Sequence, residues 1–133
     1  MKRYAIIVAA GTGSRMNSGL PKQFLQLCGK PVLYYSLQAF YQNASDTKII
    51  VVLAQQEVDR WLSLCAEYKI EIPHEIVIGG ATRTESVLNG LNNITEDGVV
   101  AIHDGARPLV SNEIIENCFQ SAIKNGTGIA CVK

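Results

Sequence analysis

What this sequence lacks is a surplus of charge: twelve Lys and Arg balance twelve Asp and Glu over 133 residues. A polyphosphate chain is gripped by clustered cations, so this balance argues against a nucleic-acid polymer as partner, and Lys2-Arg3 is too small a cluster to alter that. Thiols are few as well. Cys28, Cys65, Cys118 and Cys131 are scattered, with no CxxC pair and no Cys/His spacing suited to a metal. They read as small buried or half-buried thiols of a reducing cytoplasm. His103 has no companion ligand at metal spacing either, which leaves it as a hydrogen-bonded residue at a strand end. No apolar run is long enough to span a bilayer, and no basic n-region followed by a long apolar stretch marks a signal peptide, so no membrane partner and a cytoplasmic location are expected. Repeats and low-complexity segments are absent. What remains is 47% hydrophobic residues, enough for one domain over residues 1–133 with a sizeable core.

What is present is organised around Tyr4 to Met16 and the Leu20-Pro21-Lys22 that follows. Ala5-Ile6-Ile7-Val8-Ala9 is apolar on both alternating faces and too short for a buried helix, which predicts a central parallel strand. The loop after it has no bulk. Ala9, Ala10, Gly11, Thr12 and Gly13 leave the backbone open to close approach, so that successive N–H groups can face an anion. Arg15 offers a planar fork to phosphate oxygens and Lys22 a compact charge. The loop is not a dinucleotide fingerprint, because the third glycine would fall at Met16, nor a Walker A loop, because no Gly-Lys-Ser/Thr follows. A phosphate-binding loop is the reading that uses both cations.

The remaining chain alternates. Gln23 to Lys30 reads as extended, with a turn at Gly29-Lys30. Pro31 opens a helix from Val32 to about Tyr41 that buries Leu33, Leu37 and Phe40. Lys48–Leu53 is a second buried strand, and a helix over about Gln56–Glu67 turns Val58, Trp61, Leu62 and Cys65 inward, Trp61 as core. Glu75–Ile78 is a third strand ending at Gly79-Gly80. Near Thr84 a helix begins with Val87, Leu88 and Leu91 inward. Arg83 and Ser86 join the two glycines as a frame for a small polar ring, against the plainer reading of a tight turn and a local cap. Val99–His103 is a fourth strand that delivers Asp104-Gly105-Ala106-Arg107 to the carboxyl edge, where open parallel sheets bind ligands. Asp104 there is a candidate for a magnesium ion accompanying a triphosphate, against the alternative of an Asx turn. Ser111 caps a helix to about Asn125, Gly126 stops it, and Gly128–Val132 begins a fifth strand. The alternation predicts an α/β fold, a three-layer α/β/α sandwich on a mostly parallel, Rossmann-like sheet.

Four segments carry a resemblance: Ala9-Ala-Gly-Thr-Gly-Ser-Arg15, Pro21-Lys-Gln-Phe24, Gly79-Gly-Ala-Thr-Arg-Thr-Glu-Ser-Val87 and His103-Asp-Gly-Ala-Arg-Pro108. Together they closely resemble the amino-terminal part of the 2-C-methyl-D-erythritol 4-phosphate cytidylyltransferase family, within the glycosyltransferase-A-like nucleotidyltransferases. The resemblance implies CMP transfer from CTP to a small polyol phosphate, 2-C-methyl-D-erythritol 4-phosphate, with release of pyrophosphate, aided by Mg2+ or another divalent cation, in isoprenoid precursor synthesis; ribitol 5-phosphate as acceptor and a non-catalytic CTP-binding fragment are the alternatives. It implies that Ala10 and Gly11 to Gly13 wrap the CTP phosphates and ribose, and that Arg15 and Lys22 steady the α-phosphorus and the leaving pyrophosphate. Gly80, Arg83 and Ser86 would hold the cytosine, and Asp104, Gly105 and Ala106 would border the ribose and the magnesium-triphosphate. A homodimer is implied for the full-length enzyme. The chain departs from the pattern in Gly105, where alanine is usual and where relatives that activate ribitol 5-phosphate also carry glycine, and in Ala81, where an acid is frequent. It also reads as truncated at its carboxyl end, which leaves the acceptor open and predicts an unpaired sheet edge prone to self-association.

Overall fold

The computed structural model describes residues 1–11 and 20–129. Strand β1 (Lys2–Ala9) is followed by a 3-10 turn at Lys22–Phe24 and a two-stranded ribbon, β2 (Gln26–Leu27) and β3 (Lys30–Pro31). Then come α1 (Val32–Asn43), β4 (Lys48–Leu53), α2 (Val58–Glu67), β5 (Glu75–Ile78), α3 (Arg83–Leu91), β6 (Gly98–Asp104) and α4 (Asn112–Asn125).

The main sheet has the order β5-β4-β1-β6. Each neighbouring pair is parallel, with Ala9 opposite Leu53 on one side of β1 and Val8 opposite Asp104 on the other. The central position of β1 follows from its composition. Tyr4 to Ala9 are buried without interruption, and only a strand with neighbours on both edges and helices on both faces can hide such a run. Alternate residues of β1 and β4 divide between two cores. Ala5, Ile7, Ile49, Val51 and Leu53 pack with Leu33, Leu37 and Phe40 of α1, Trp61 of α2, and Ile115 and Phe119 of α4. Ile6, Val8, Ile50 and Val52 face the other way, onto Val87 and Leu91 of α3. The predicted three-layer sandwich is therefore observed, with α3 alone on its face among the described residues.

Several local expectations are corrected. Gln23–Lys30 is not one extended segment: a 3-10 turn precedes a tight hairpin. The turn lies at Cys28-Gly29, whose φ angles of 50° and 83° are those of a primed hairpin turn matching the twist of its flanking strands. Cys28 is therefore exposed at the tip rather than buried, while Cys65 and Cys118 are half-buried as expected. Cys131 lies outside the described residues. Leu62 and Leu88 are both 51% exposed, not core. α2 is seated by Trp61, with Val58, Leu64 and Cys65 packed against the same core, and α3 turns Ser86 and Gly90 to the sheet with Val87 and Leu91 packed beside them, which leaves Leu62 and Leu88 on the outer sides. Of the expected fifth strand, Gly128 and Ile129 are irregular and the rest lies outside the described residues. Among the described residues β6 pairs only with β1, and Val99, Ala101, His103, Ile115, Phe119 and Ile129 line an open cavity of about 570 Å³ beside it.

Candidate active site at the carboxyl edge of the sheet

The sheet ends in two loops on either side of β1. On one side the Gly79 N–H continues the ladder by donating to the Leu53 carbonyl at 2.8 Å, and on the other the Gly105 N–H donates to the Val8 carbonyl at 2.9 Å. The Gly105 segment is thus set against the end of β1 and the Gly79 segment against the end of β4, from where Gly79 reaches Ala10; at the end of β1 Ala9 is buried, Ala10 half-buried and Gly11 exposed. Thr12, Gly13 and Arg15 lie outside the described residues.

The Gly79–Ser86 corner is held from within. Thr82 caps α3 by accepting from the Glu85 N–H at 3.1 Å. Glu85 answers with Oε2, which accepts from the Ala81 N–H at 2.8 Å, a variant of the reciprocal capping box. Ser86 Oγ accepts from the Gly80 N–H at 3.1 Å, and Asn89 Nδ2 donates to the Ile78 carbonyl at 3.1 Å. The local cap considered for Ser86 is therefore Thr82, and Ser86, 2% exposed, forms the floor of the corner. Gly79 is required by close approach. A Cβ there would stand 2.5 Å from Ala10 Cβ and 2.7 Å from Ser86 Oγ. Arg83, at the first position of α3, is exposed beside this corner.

The Asp104–Arg107 corner is looser. Asp104 Oδ1 accepts from the Ala106 N–H at 3.0 Å, so the Asx turn is present. Oδ2 faces Arg107 Nε at 3.8 Å, with side chains 46% and 81% exposed, a pair that solvent largely screens. Ser36 of α1, fully buried, donates to the Gly105 or Arg107 carbonyl, both at 3.4 Å. His103 Nε2 lies 2.8 Å from the Arg107 carbonyl, which makes Nε2 the protonated nitrogen, and burial lowers its pKa. It is the hydrogen-bonded strand-end residue expected. Among the described residues no cluster of three His, Cys, Asp or Glu side chains is placed to hold a metal. The half-exposed Asp104 carboxylate suits a single-ligand role, as magnesium usually keeps water and phosphate oxygens in most positions.

Lys22 is exposed at the start of the 3-10 turn, and among the described residues no carboxylate stands within ion-pair distance of it. The residue after it carries a feature that sequence reasoning left without a role. Gln23 is 4% exposed, and its Nε2 donates to the Ala9 carbonyl at 2.7 Å and the Gly11 carbonyl at 3.2 Å. Glu85 was missed in the same way. The capping-box spacing Thr82-x-x-Glu85 was a signal for the second, whereas nothing periodic marks the first.

Comparison with known proteins identifies the family of the chain. The family profile described as 2-C-methyl-D-erythritol 4-phosphate cytidylyltransferase matches residues 4–133. The enzyme of that name from Bacteroides fragilis is 50% identical over 123 residues, which are 92% of this chain and 56% of the relative. That from Porphyromonas gingivalis is 45% identical over 130 residues, 98% of this chain and 58% of the relative. The crystal structure of 4-diphosphocytidyl-2C-methyl-D-erythritol synthase from Anaerococcus prevotii superposes with a TM-score of 0.75 at 26% identity, covering 93% of this chain and 52% of the other. The chain thus spans a little over half the length of the curated relatives it matches.

Proposed function

The chain belongs to the 2-C-methyl-D-erythritol 4-phosphate cytidylyltransferase family, and from that premise we propose that it forms the CTP-binding part of an enzyme that transfers CMP from CTP to 2-C-methyl-D-erythritol 4-phosphate and releases pyrophosphate. The observation that carries the proposal is the meeting of Ala10, Gly79 and Ser86 on one side of β1, with Asp104 on the other and an exposed Lys22 nearby.

In this reading the pyrimidine sits against the Gly79–Arg83 backbone. A backbone edge fixed by Thr82, Glu85 and Ser86 can select a ring by shape, and the family resemblance makes that ring a cytosine. The triphosphate follows the loop after β1 toward Lys22 and Arg15. Lys22 neutralises charge as it builds on the α-phosphorus and the leaving pyrophosphate, the usual way a positioned cation speeds phosphoryl chemistry. The attacking phosphate oxygen is already ionised, so no protein base is needed, and the contribution of the site is alignment in line with the leaving group. Asp104 would hold a magnesium ion through Oδ2, and the ion when bound would supply charge neutralisation on the triphosphate. A cytoplasmic location and a homodimer of the full-length enzyme complete the reading.

The test is pyrophosphate release by the full-length protein with CTP, magnesium and either 2-C-methyl-D-erythritol 4-phosphate or ribitol 5-phosphate. Release with the first acceptor supports the proposal. Release with ribitol 5-phosphate alone replaces the acceptor, and preference for ATP over CTP in calorimetry removes the base pocket.

A further inference from the structure

Gln23 stands where the two anion-binding parts of the proposed site join. It follows Lys22 directly in the 3-10 turn, and that turn is closed by the Phe24 N–H donating to the Pro21 carbonyl at 3.0 Å. Across the interface, both of its recorded bonds go to the backbone at the end of β1, to Ala9 at 2.7 Å and Gly11 at 3.2 Å. A side-chain amide carries two N–H donors on one nitrogen, and here they meet two carbonyls, the Ala9 bond buried and the Gly11 bond partly so, and an unmade buried bond is costly. Its neighbour Phe24 is 2% exposed and stacked on Trp61, so the turn is anchored in the core and does not slide.

The geometry has a directional consequence. None of the described peptide bonds is cis, and in a trans peptide the C=O and the following N–H point in opposite directions. Drawing the Ala9 carbonyl toward Gln23 therefore turns the Ala10 N–H away from it. The same amide that fixes this peptide plane also fixes the backbone carrying Lys22, whose own side chain is free in solvent.

We infer that Gln23 is a positioning residue of the transfer reaction. It sets the peptide planes that follow β1 and holds Lys22 at a fixed distance from them, so that amide and ammonium meet one polyphosphate together. The inference rests on the reading of this edge as a triphosphate site. It touches no substrate and acts through Lys22 and the Ala9–Gly11 backbone.

The experiment uses the full-length protein with Gln23→Met, which keeps length and volume but has no donor, and Gln23→Glu, whose carboxylate faces the two carbonyl oxygens without a proton. Three readouts are combined: calorimetric binding of inorganic tripolyphosphate, the split of kcat against KM for CMP transfer, and thermal melting. Both variants are expected to melt as folded proteins, to bind tripolyphosphate about tenfold more weakly, and to lose about 10- to 100-fold in kcat while KM for the acceptor holds. On a Lys22→Ala background the Gln23→Met loss in kcat should shrink to less than about threefold, because the partner through which it acts is gone. Equal losses on both backgrounds, wild-type binding and turnover in the variants, or failure of both to fold would overturn the inference. If the wild-type protein releases no pyrophosphate from CTP, the cytidylyl reading fails while the tripolyphosphate arm still decides the role of Gln23.

Discussion

The two corners flanking β1 are built on different principles. Gly79–Ser86 is locked by its own helix, with Thr82, Glu85, Ser86 and Asn89 each bonded to backbone of the same segment. Asp104–Arg107 is held by one Asx turn, two long contacts from Ser36 and a half-exposed ion pair. The difference teaches which part of a ligand each corner suits. A fixed backbone edge discriminates a rigid ring by shape, whereas a carboxylate that solvent can reach suits a hydrated cation and a flexible triphosphate.

The largest expected effect lies at neither corner. Lys22→Ala should lower kcat by about 10²- to 10³-fold, as loss of a preorganised charge commonly does, with little change in melting temperature because the side chain is exposed. Initial rates of pyrophosphate release and a melting curve on the same preparation check both halves. Asp104→Asn tests the open corner. Its Oδ1 can still accept from Ala106, so the fold should hold, while the magnesium concentration giving half-maximal rate rises about tenfold or more. An unchanged magnesium dependence would give the corner a structural role only.

A paired comparison in denaturant then sharpens the contrast directly. A methyl group at Gly79 meets Ala10 Cβ at 2.5 Å and Ser86 Oγ at 2.7 Å, all short, stiff neighbours. At Gly105 it meets Ala9 Cβ and Leu33 Cδ1 at 3.0 Å, and a leucine tip can give way. Gly79→Ala should therefore cost about 2–3 kcal/mol and Gly105→Ala about 1 kcal/mol, within the range for overpacked sites. Equal costs would mean the two corners are equally rigid.

The smallest effect is far from the site. Arg3 makes a forked pair with Glu116 at 2.7 and 2.9 Å, bridging β1 and α4, and these bonds lower the Glu116 pKa from 4.5 to about 2. A carboxylate with a depressed folded pKa contributes its full stability above the unfolded value, and that contribution fades as the pH falls from about 4.5 toward 2. Glu116→Gln should flatten this part of the acid limb, by a modest amount since the carboxylate is partly exposed.

Much of this was legible beforehand. The buried runs Ala5–Ala9 and Lys48–Leu53 announce central strands, Gly79-Gly80 and Asp104-Gly105 announce breaks at one edge, and Ser111 and Gly126 bracket α4 as read. Where the reading failed, the cause was three-dimensional. Leu62 and Leu88 fit their helical stripes yet face solvent, because which residues of a stripe are buried depends on how the helix is turned toward the sheet. Gln23 had the composition of a surface residue and is sealed in the interior.

The amino-acid order by itself determined the alternation of strand and helix and the chemistry placed at each strand end, since these follow from side-chain period, backbone freedom and charge along the chain. Only the tertiary structure decided that β1 lies between β4 and β6, that Ala10 therefore touches the Gly79 corner, and that one glutamine amide ties residues 9 and 11 to the turn carrying Lys22. Those outcomes depend on which surfaces meet across long separations in the chain, and hydrogen bonds from a single side chain to distant backbone leave no periodic trace.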